Sequence, residues 1–306
     1  MSIMRDPLNI ILLGVPVDCE GIPGGTARAP TILRRLGLLQ ALPELKDSND
    51  LPVEINGTQR DPISGIKALD DVRHVIGETH KQVTRLLNEG TFPILIGGCC
   101  TNIVGAIAAA AQVSDQESSQ IGLVYIDGHL DLYDGKTSPT GDFADMPMNF
   151  ILGKGNASLG PEMDCWPGLA PHTVSLVGFR DRDIALRQSA LMPEDFPIPP
   201  QLIDADAIHQ STPAVIAQKI LRYQQGVASK FWLHLDWDVL DEVDFPSSDY
   251  PMPNGLTWAQ LSALLRPLVQ SPMLVGMTTA CYNPDKDQDF RDGRRIIDVL
   301  RCAFEE

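Results

Sequence analysis

Nothing in this chain approaches the ~20 consecutive apolar residues needed to cross a bilayer, so a membrane-spanning protein is not expected. The most apolar N-terminal stretch, Ile10 to Val17, is interrupted by Gly14 and Pro16 and followed by Asp18. It has no basic leader and no small-x-small cleavage site, and reads as a strand rather than a signal peptide. Cysteine is scarce, six in 306 residues at no repeated spacing, which excludes a disulfide-built scaffold. Positive charge is scarce too: 24 Lys and Arg stand against 40 Asp and Glu, for a formal net charge of −16. A chain this negative repels phosphate backbones and anionic lipid, so neither nucleic acid nor a membrane surface is an expected partner. Internal repeats, low-complexity tracts and Pro/Gly/Ser-rich linkers are also lacking. What remains is an ordinary globular balance, 43% apolar and 21% charged, read as a single domain over 1–306 in a cytoplasmic protein.

Short apolar runs alternate with helical periods. Leu8 to Val17 reads as an opening strand, and Ala29 to Leu42 as a helix with Pro30 at its start and Ile32, Leu33, Leu36 and Leu39 on one face. Polar residues from about Lys46 to Gly65 predict a surface excursion. Ile66, Leu69, Val72, Ile76, Val83 and Leu87 then recur at helical intervals up to Gly90. Strands are expected at Phe92–Ile96, Gly122–Ile126, Thr173–Phe179, Phe231–Asp236 and Leu274–Gly276. Helices are expected over Asn102–Gln112, Pro213–Gln225, Trp258–Leu268 and Arg294–Phe304. That alternation implies a doubly wound, mainly parallel α/β sheet with helices on both faces. In such sheets functional groups gather beyond the carboxyl ends of strands.

Four strand ends carry chemistry: Gly97-Gly98-Cys99-Cys100-Thr101, Asp127-Gly128-His129-Leu130-Asp131, Asp236-Trp237-Asp238 with Asp241 beyond, and Thr278 through Asp287 with Cys281, Asn283 and Pro284. A lone Asp at a strand end is ordinarily a cap or a turn former. Alternation by two, however, sets Asp127, His129 and Asp131 on one side. Carboxylates gathered without cations raise one another's pKa values, and divalent metals relieve that repulsion. A metal site is therefore expected.

Taken in order along nearly the whole chain, these pieces resemble the arginase/agmatinase (ureohydrolase) superfamily, of which this chain reads as a divergent member. The resemblance rests on Gly24-Gly25-Thr26, Ala29-Pro30, Leu33-Arg34, the Gly97-Gly98 loop and the Asp127/His129/Asp131 triplet. It continues through Gly178-Phe179-Arg180-Asp181, Asp236/Asp238/Asp241, Asn283-Pro284 and Asp287. It implies an arginase-like α/β/α fold and a hydrolase that cleaves linear C–N bonds of guanidino, amidine or amide-type compounds with a metal-bound hydroxide. Two divalent ions are implied, Mn2+ first. Asp127 and Asp236 bridge them, Asp131 and Cys100 serve the first, and His129 and Asp238 serve the second. Asp131 also relays a proton; Asp183, Cys281 and Thr140 touch a small, cationic substrate; and a homo-oligomer, trimer or hexamer, is implied by analogy.

Three positions depart from the pattern. Cys100 stands where a histidine ligand is expected, and its thiolate would favour Zn2+; the alternative for Cys99 and Cys100 is buried filler. Ala144 occupies the place of the proton-shuttling histidine. Cys281 occupies that of the glutamate that pairs with a guanidinium, which weakens any claim to an arginine-like head group. Core filling is the plainer role of Cys281, and a cap or surface acid that of Asp183. His234, two residues before Asp236 on the same strand face, reads as a core histidine held by a hydrogen bond, with orientation of a ligand from behind as the alternative. Against the enzyme stands a second reading: a catalytically weak or inactive relative serving as a metal-binding or regulatory subunit.

Overall fold

The computed structural model describes residues 9–21, 24–116, 120–155, 158–159, 163 and 166–305, so Leu8 of the expected first strand lies outside the described residues. Eight strands are joined in one sheet: β1 (Ile10–Gly14), β2 (Leu45–Asp50), β3 (Phe92–Ile96), β4 (Ile121–Ile126), β5 (Val174–Val177), β6 (Gln201–Ile203), β7 (Lys230–Asp236) and β8 (Leu274–Ala280). Their spatial order is β2-β1-β3-β8-β7-β4-β5-β6, and every neighbouring pair is parallel.

Parallel strands need crossovers, and helices supply them on both faces. The helices are α1 (Ala29–Arg35), α2 (Leu69–Asn88), α3 (Asn102–Gln116), α4 (Arg182–Arg187), α5 (Pro213–Val227), α6 (Trp258–Val269) and α7 (Arg291–Phe304). Strand alternation divides the core in two. Leu13, Leu95, Tyr125 and Trp232 pack toward α2 and α3, whereas Leu12, Ile94, Leu233 and Leu235 pack toward α1, α5, α6 and α7. The expected doubly wound sheet is what forms.

Some boundaries differ from the sequence reading. The polar run after Leu45 is not wholly surface excursion: Leu45 to Asp50 adds an edge strand parallel to β1, with only Leu45 buried and Arg34 pairing Asp47 and Asp50. Its backbone pairing overrides a composition poor in strand formers, and a charged edge discourages further pairing. The helix expected over Ala29 to Leu42 breaks at Gly37, whose φ of 103° no helix accommodates, into α1 and a single turn at Leu38–Ala41. Cys99 is not mere filler, since a disulfide ties it to Cys19 in the loop after β1.

Close packing between layers leaves testable traces. A Cβ on Gly276 in β8 would meet Cζ3 of the fully buried Trp232 at 2.3 Å. Gly276→Ala is expected to lower stability by ~1–3 kcal/mol, read from the urea midpoint. An unchanged midpoint would mean that Trp232 yields without cost.

Candidate metal centre

The sheet order explains why distant motifs meet. β3, β8, β7 and β4 are consecutive neighbours, so Cys100, Cys281, Asp236 and Asp127, at or just beyond their carboxyl ends, emerge on the same side of the sheet. Gly97 and Gly98 take φ of 94° and 70°, a turn open to glycine, and a Cβ at either would run into Pro30 or Val15. The turn sends Cys99 toward Cys19 and Cys100 into the cluster.

Two overlapping groups of donor atoms result among the described residues. In one, Cys100, Asp127, Asp236 and a ring nitrogen of His234 all lie within 4.8 Å of one another; in the other, Asp127, His129 and Asp238 do. Cys100 Sγ is 2.7 Å from Asp236 Oδ2 and 4.0 Å from Asp127 Oδ2, while His129 Nδ1 is 3.2 Å from Asp238 Oδ2. The remaining carboxylate oxygens are fixed by backbone. Asp127 Oδ1 accepts from the N–H of His129, Asp236 Oδ1 from that of Asp238, and Asp238 Oδ1 from that of Gly128. Behind this loop the Arg180 guanidinium donates to the carbonyls of Asp238 and Leu240, which holds the segment after β7 in place.

The electrostatics are those of anions crowded in a dry place. Burial, and then the Asp238 charge, push Asp127 up to about 7. Burial raises Asp236 as well, with Asp238 and Cys281 adding to it, and it raises Asp131 together with Asp127. Burial and Cys281 push the Cys100 thiol up. Burial works against the charged form of His129, but Asp238 and Asp127 overcome it and raise this imidazole well above its usual value. A donor set of this kind, oxygens with nitrogen and sulfur, fits divalent cations, which would remove the repulsion that the protein alone leaves in place.

Asp131 lines the same cavity but stands outside both groups. Its φ is 52°, and its Oδ2 accepts a 2.5 Å hydrogen bond from Tyr125, which points from β4 on the same face as Asp127. Thr140 and Cys281 line the cavity; Cys281 Sγ lies 3.6 Å from that of Cys100. Asp183 does not: it sits exposed in the first turn of α4, and the neighbouring Asp181, buried and accepting from the N–H of Leu130, faces the cavity instead. The cavity is about 230 Å³ and has Ala144, Asp145, Gln188 and Tyr250 in its wall. Among the described residues lining it there is no Lys or Arg. Sequence reasoning passed over Tyr125, Asp145, Asp181 and Tyr250. Two of them carried a signal: Tyr125 its two-residue spacing from Asp127, and Asp181 its place in the motif Gly178-Phe179-Arg180-Asp181.

The sequence model of the arginase family matches residues 8–304. The chain is 23% identical to the arginase of Bacillus caldovelox over 311 residues, covering 98% of each. The native structure of an arginase from Bacillus caldovelox superposes with a TM-score of 0.83 at 20% identity, over 98% of this chain and 99% of that one. Formimidoylglutamase from Bacillus subtilis superposes with a TM-score of 0.70 at 18% identity, over 98% and 87%.

Asp145 gives this cavity a pH signature. Burial raises it to about 7, against the hydrogen bond that Ser138 donates to its Oδ2. A carboxyl with a raised folded pKa holds its proton more tightly when folded. Its stabilisation is therefore present below pH ~4 and lost as pH rises through about 7. Asp145→Asn, which keeps an acceptor for Ser138, is expected to gain ~2 kcal/mol over the parent between those limits. Parallel curves of melting temperature against pH for the two proteins would refute this.

Proposed function

The chain belongs to the arginase family, and from that membership we propose that it hydrolyses a linear C–N bond in a small guanidino, amidine or amide-type compound with the help of divalent metal ions. One observation carries the reading: two groups of buried donors share Asp127 at the base of an acid-lined cavity. Asp127 and Asp236 are the proposed bridging ligands, with His129 and Asp238 on one ion and Cys100 on the other. Mn2+ is the first candidate and Zn2+ the second, because thiolate is a soft donor. Bound there, the ions supply Lewis acidity and make water nucleophilic near neutral pH.

The chain's own residues do the rest. Asp131, hydrogen-bonded to Tyr125 and facing the cavity, is the proposed proton acceptor and relay. The carboxylates of Asp145 and Asp181 make the wall attractive to a cation and leave a substrate carboxylate without a partner there. Ala144 transfers no proton, and Cys281 makes no bidentate pair with a guanidinium. These side chains favour a modified guanidine, an amidine or an amide over arginine.

The same two positions, with Cys100, are what favours the second reading, a catalytically weak relative that keeps the metal centre. That relative needs its metal as much as an enzyme does, because buried acids without cations destabilise a fold.

The deciding experiment loads the purified protein with Mn2+, Zn2+ or Ni2+ in turn, counts bound metal, and screens guanidino compounds, amidines and primary amides for urea or ammonia release. Two ions per chain and turnover of at least one compound class are expected. Bound metal without any turnover favours the second reading, and absence of bound metal defeats both. Asp131→Asn is expected to lower kcat by ~10²–10⁴ while metal content stays the same. An unaffected kcat would remove Asp131 from the reaction.

A further inference from the structure

One imidazole near the cluster has no assigned work. His234 is on β7 and wholly buried, level in the sheet with Tyr125 of β4 and Thr278 of β8. The Tyr125 ring stacks on it, centroids 4.5 Å apart and planes 23° from parallel, which holds the imidazole in one orientation. Its Nδ1 lies 2.7 Å from Thr278 Oγ1, while its Nε2 is buried with no hydrogen-bond partner. The Thr278 oxygen also accepts from the Trp232 indole at 3.4 Å. This oxygen has a second lone pair open to Nδ1–H, and in that tautomer Nε2 keeps its lone pair. A buried ring nitrogen without a partner is costly, and a histidine that hands one N–H to a neighbouring oxygen is arranged to give its other nitrogen to a cation.

We propose that His234 is a metal ligand, completing with Cys100, Asp127 and Asp236 a four-donor site for the first ion. This rests on the reading that the cavity holds divalent ions. The chain has cysteine where the family resemblance implies a ligand histidine, and it supplies the imidazole from β7, two strands away across β8. Asp131, the carboxylate expected on that ion, is held by Tyr125 and lies outside the donor group. The exchange also corrects the charge. With both histidines neutral, the anionic donors are Asp127, Asp236, Asp238 and Cys100, a match for two divalent cations. Adding Asp131 would leave the centre with a net negative charge. One sulfur, one nitrogen and two oxygens form a donor set that zinc and cobalt accept.

The test uses the full-length protein loaded with Co2+ and examined by X-ray absorption, which counts imidazole and sulfur neighbours without reference to turnover. With His129 on one ion and His234 on the other, the unaltered protein is expected to show one imidazole per cobalt. Half that value would overturn the assignment and leave the family reading standing. If no cobalt binds, both fall. His234→Gln is expected to halve the number of cobalt-bound imidazoles per chain and weaken one of the two cobalt affinities by ~100-fold or more, leaving the other ion in place with its single imidazole. Thr278→Val, which removes only the partner of Nδ1, is expected to keep the count and weaken the same ion by ~10-fold. Because the count in the unaltered protein decides the matter, a poorly folding variant does not shelter the proposal. Two tightly held ions in a folded His234→Gln variant would overturn it.

Discussion

Mutual repulsion among buried acids governs the working end of this molecule. Asp127, Asp131, Asp236 and Asp238 are all nearly inaccessible to water, and the charges they share cost more in that setting than any one of their hydrogen bonds returns. Backbone amides hold one oxygen each of Asp127, Asp236 and Asp238, which fixes the carboxylates in space without neutralising them. His129 offsets part of the charge on Asp127 and Asp238. The remainder is a repulsion that divalent cations would neutralise.

Much of this was legible in the linear chain because it depends on local rules. The Asp-x-His and Asp-x-Asp motifs at the carboxyl ends of β4 and β7 announce Asp127 with His129 and Asp236 with Asp238, and the strand-helix order announces the parallel sheet that carries them. What escaped depends on tertiary placement. Leu45 to Asp50 is polar and becomes a strand only because β1 offers a free edge. Which of two acids in Arg180-Asp181-Arg182-Asp183 faces inward is decided by the start of α4: Asp181 lies just before the helix and turns in, and Asp183 lies on its outer side. The engagement of Asp131 by Tyr125 required knowing a left-handed backbone at an aspartate, which no pattern reveals. The pairing of Cys19 with Cys99 required the approach of two loops.

The cavity wall shows how a chain can keep a centre while altering what it admits. Ala144 opens space where a larger ring is expected, and Asp145 beside it brings a carboxyl whose Oδ1 is buried and unmatched. Tyr250 approaches from the loop after β7, its hydroxyl 3.4 Å from Asp142, while Lys67 pairs with that same acid from outside the cavity. Among the described residues lining the cavity there is no Lys or Arg to seat an anion, and carboxyl groups dominate the wall.

The order of the strands has a temporal side. Cys100 and Cys281, side by side in space, are 181 positions apart along the polypeptide, and β8 is inserted between β3 and β7 as the last strand of the sheet. During synthesis the donors of the N-terminal half therefore wait for the C-terminal half to leave the ribosome before they meet. Contacts of such long range form late and make folding slow. A growing chain exposes the edge of β3 until β8 fills the gap, and the candidate metal centre is assembled only at the close of folding.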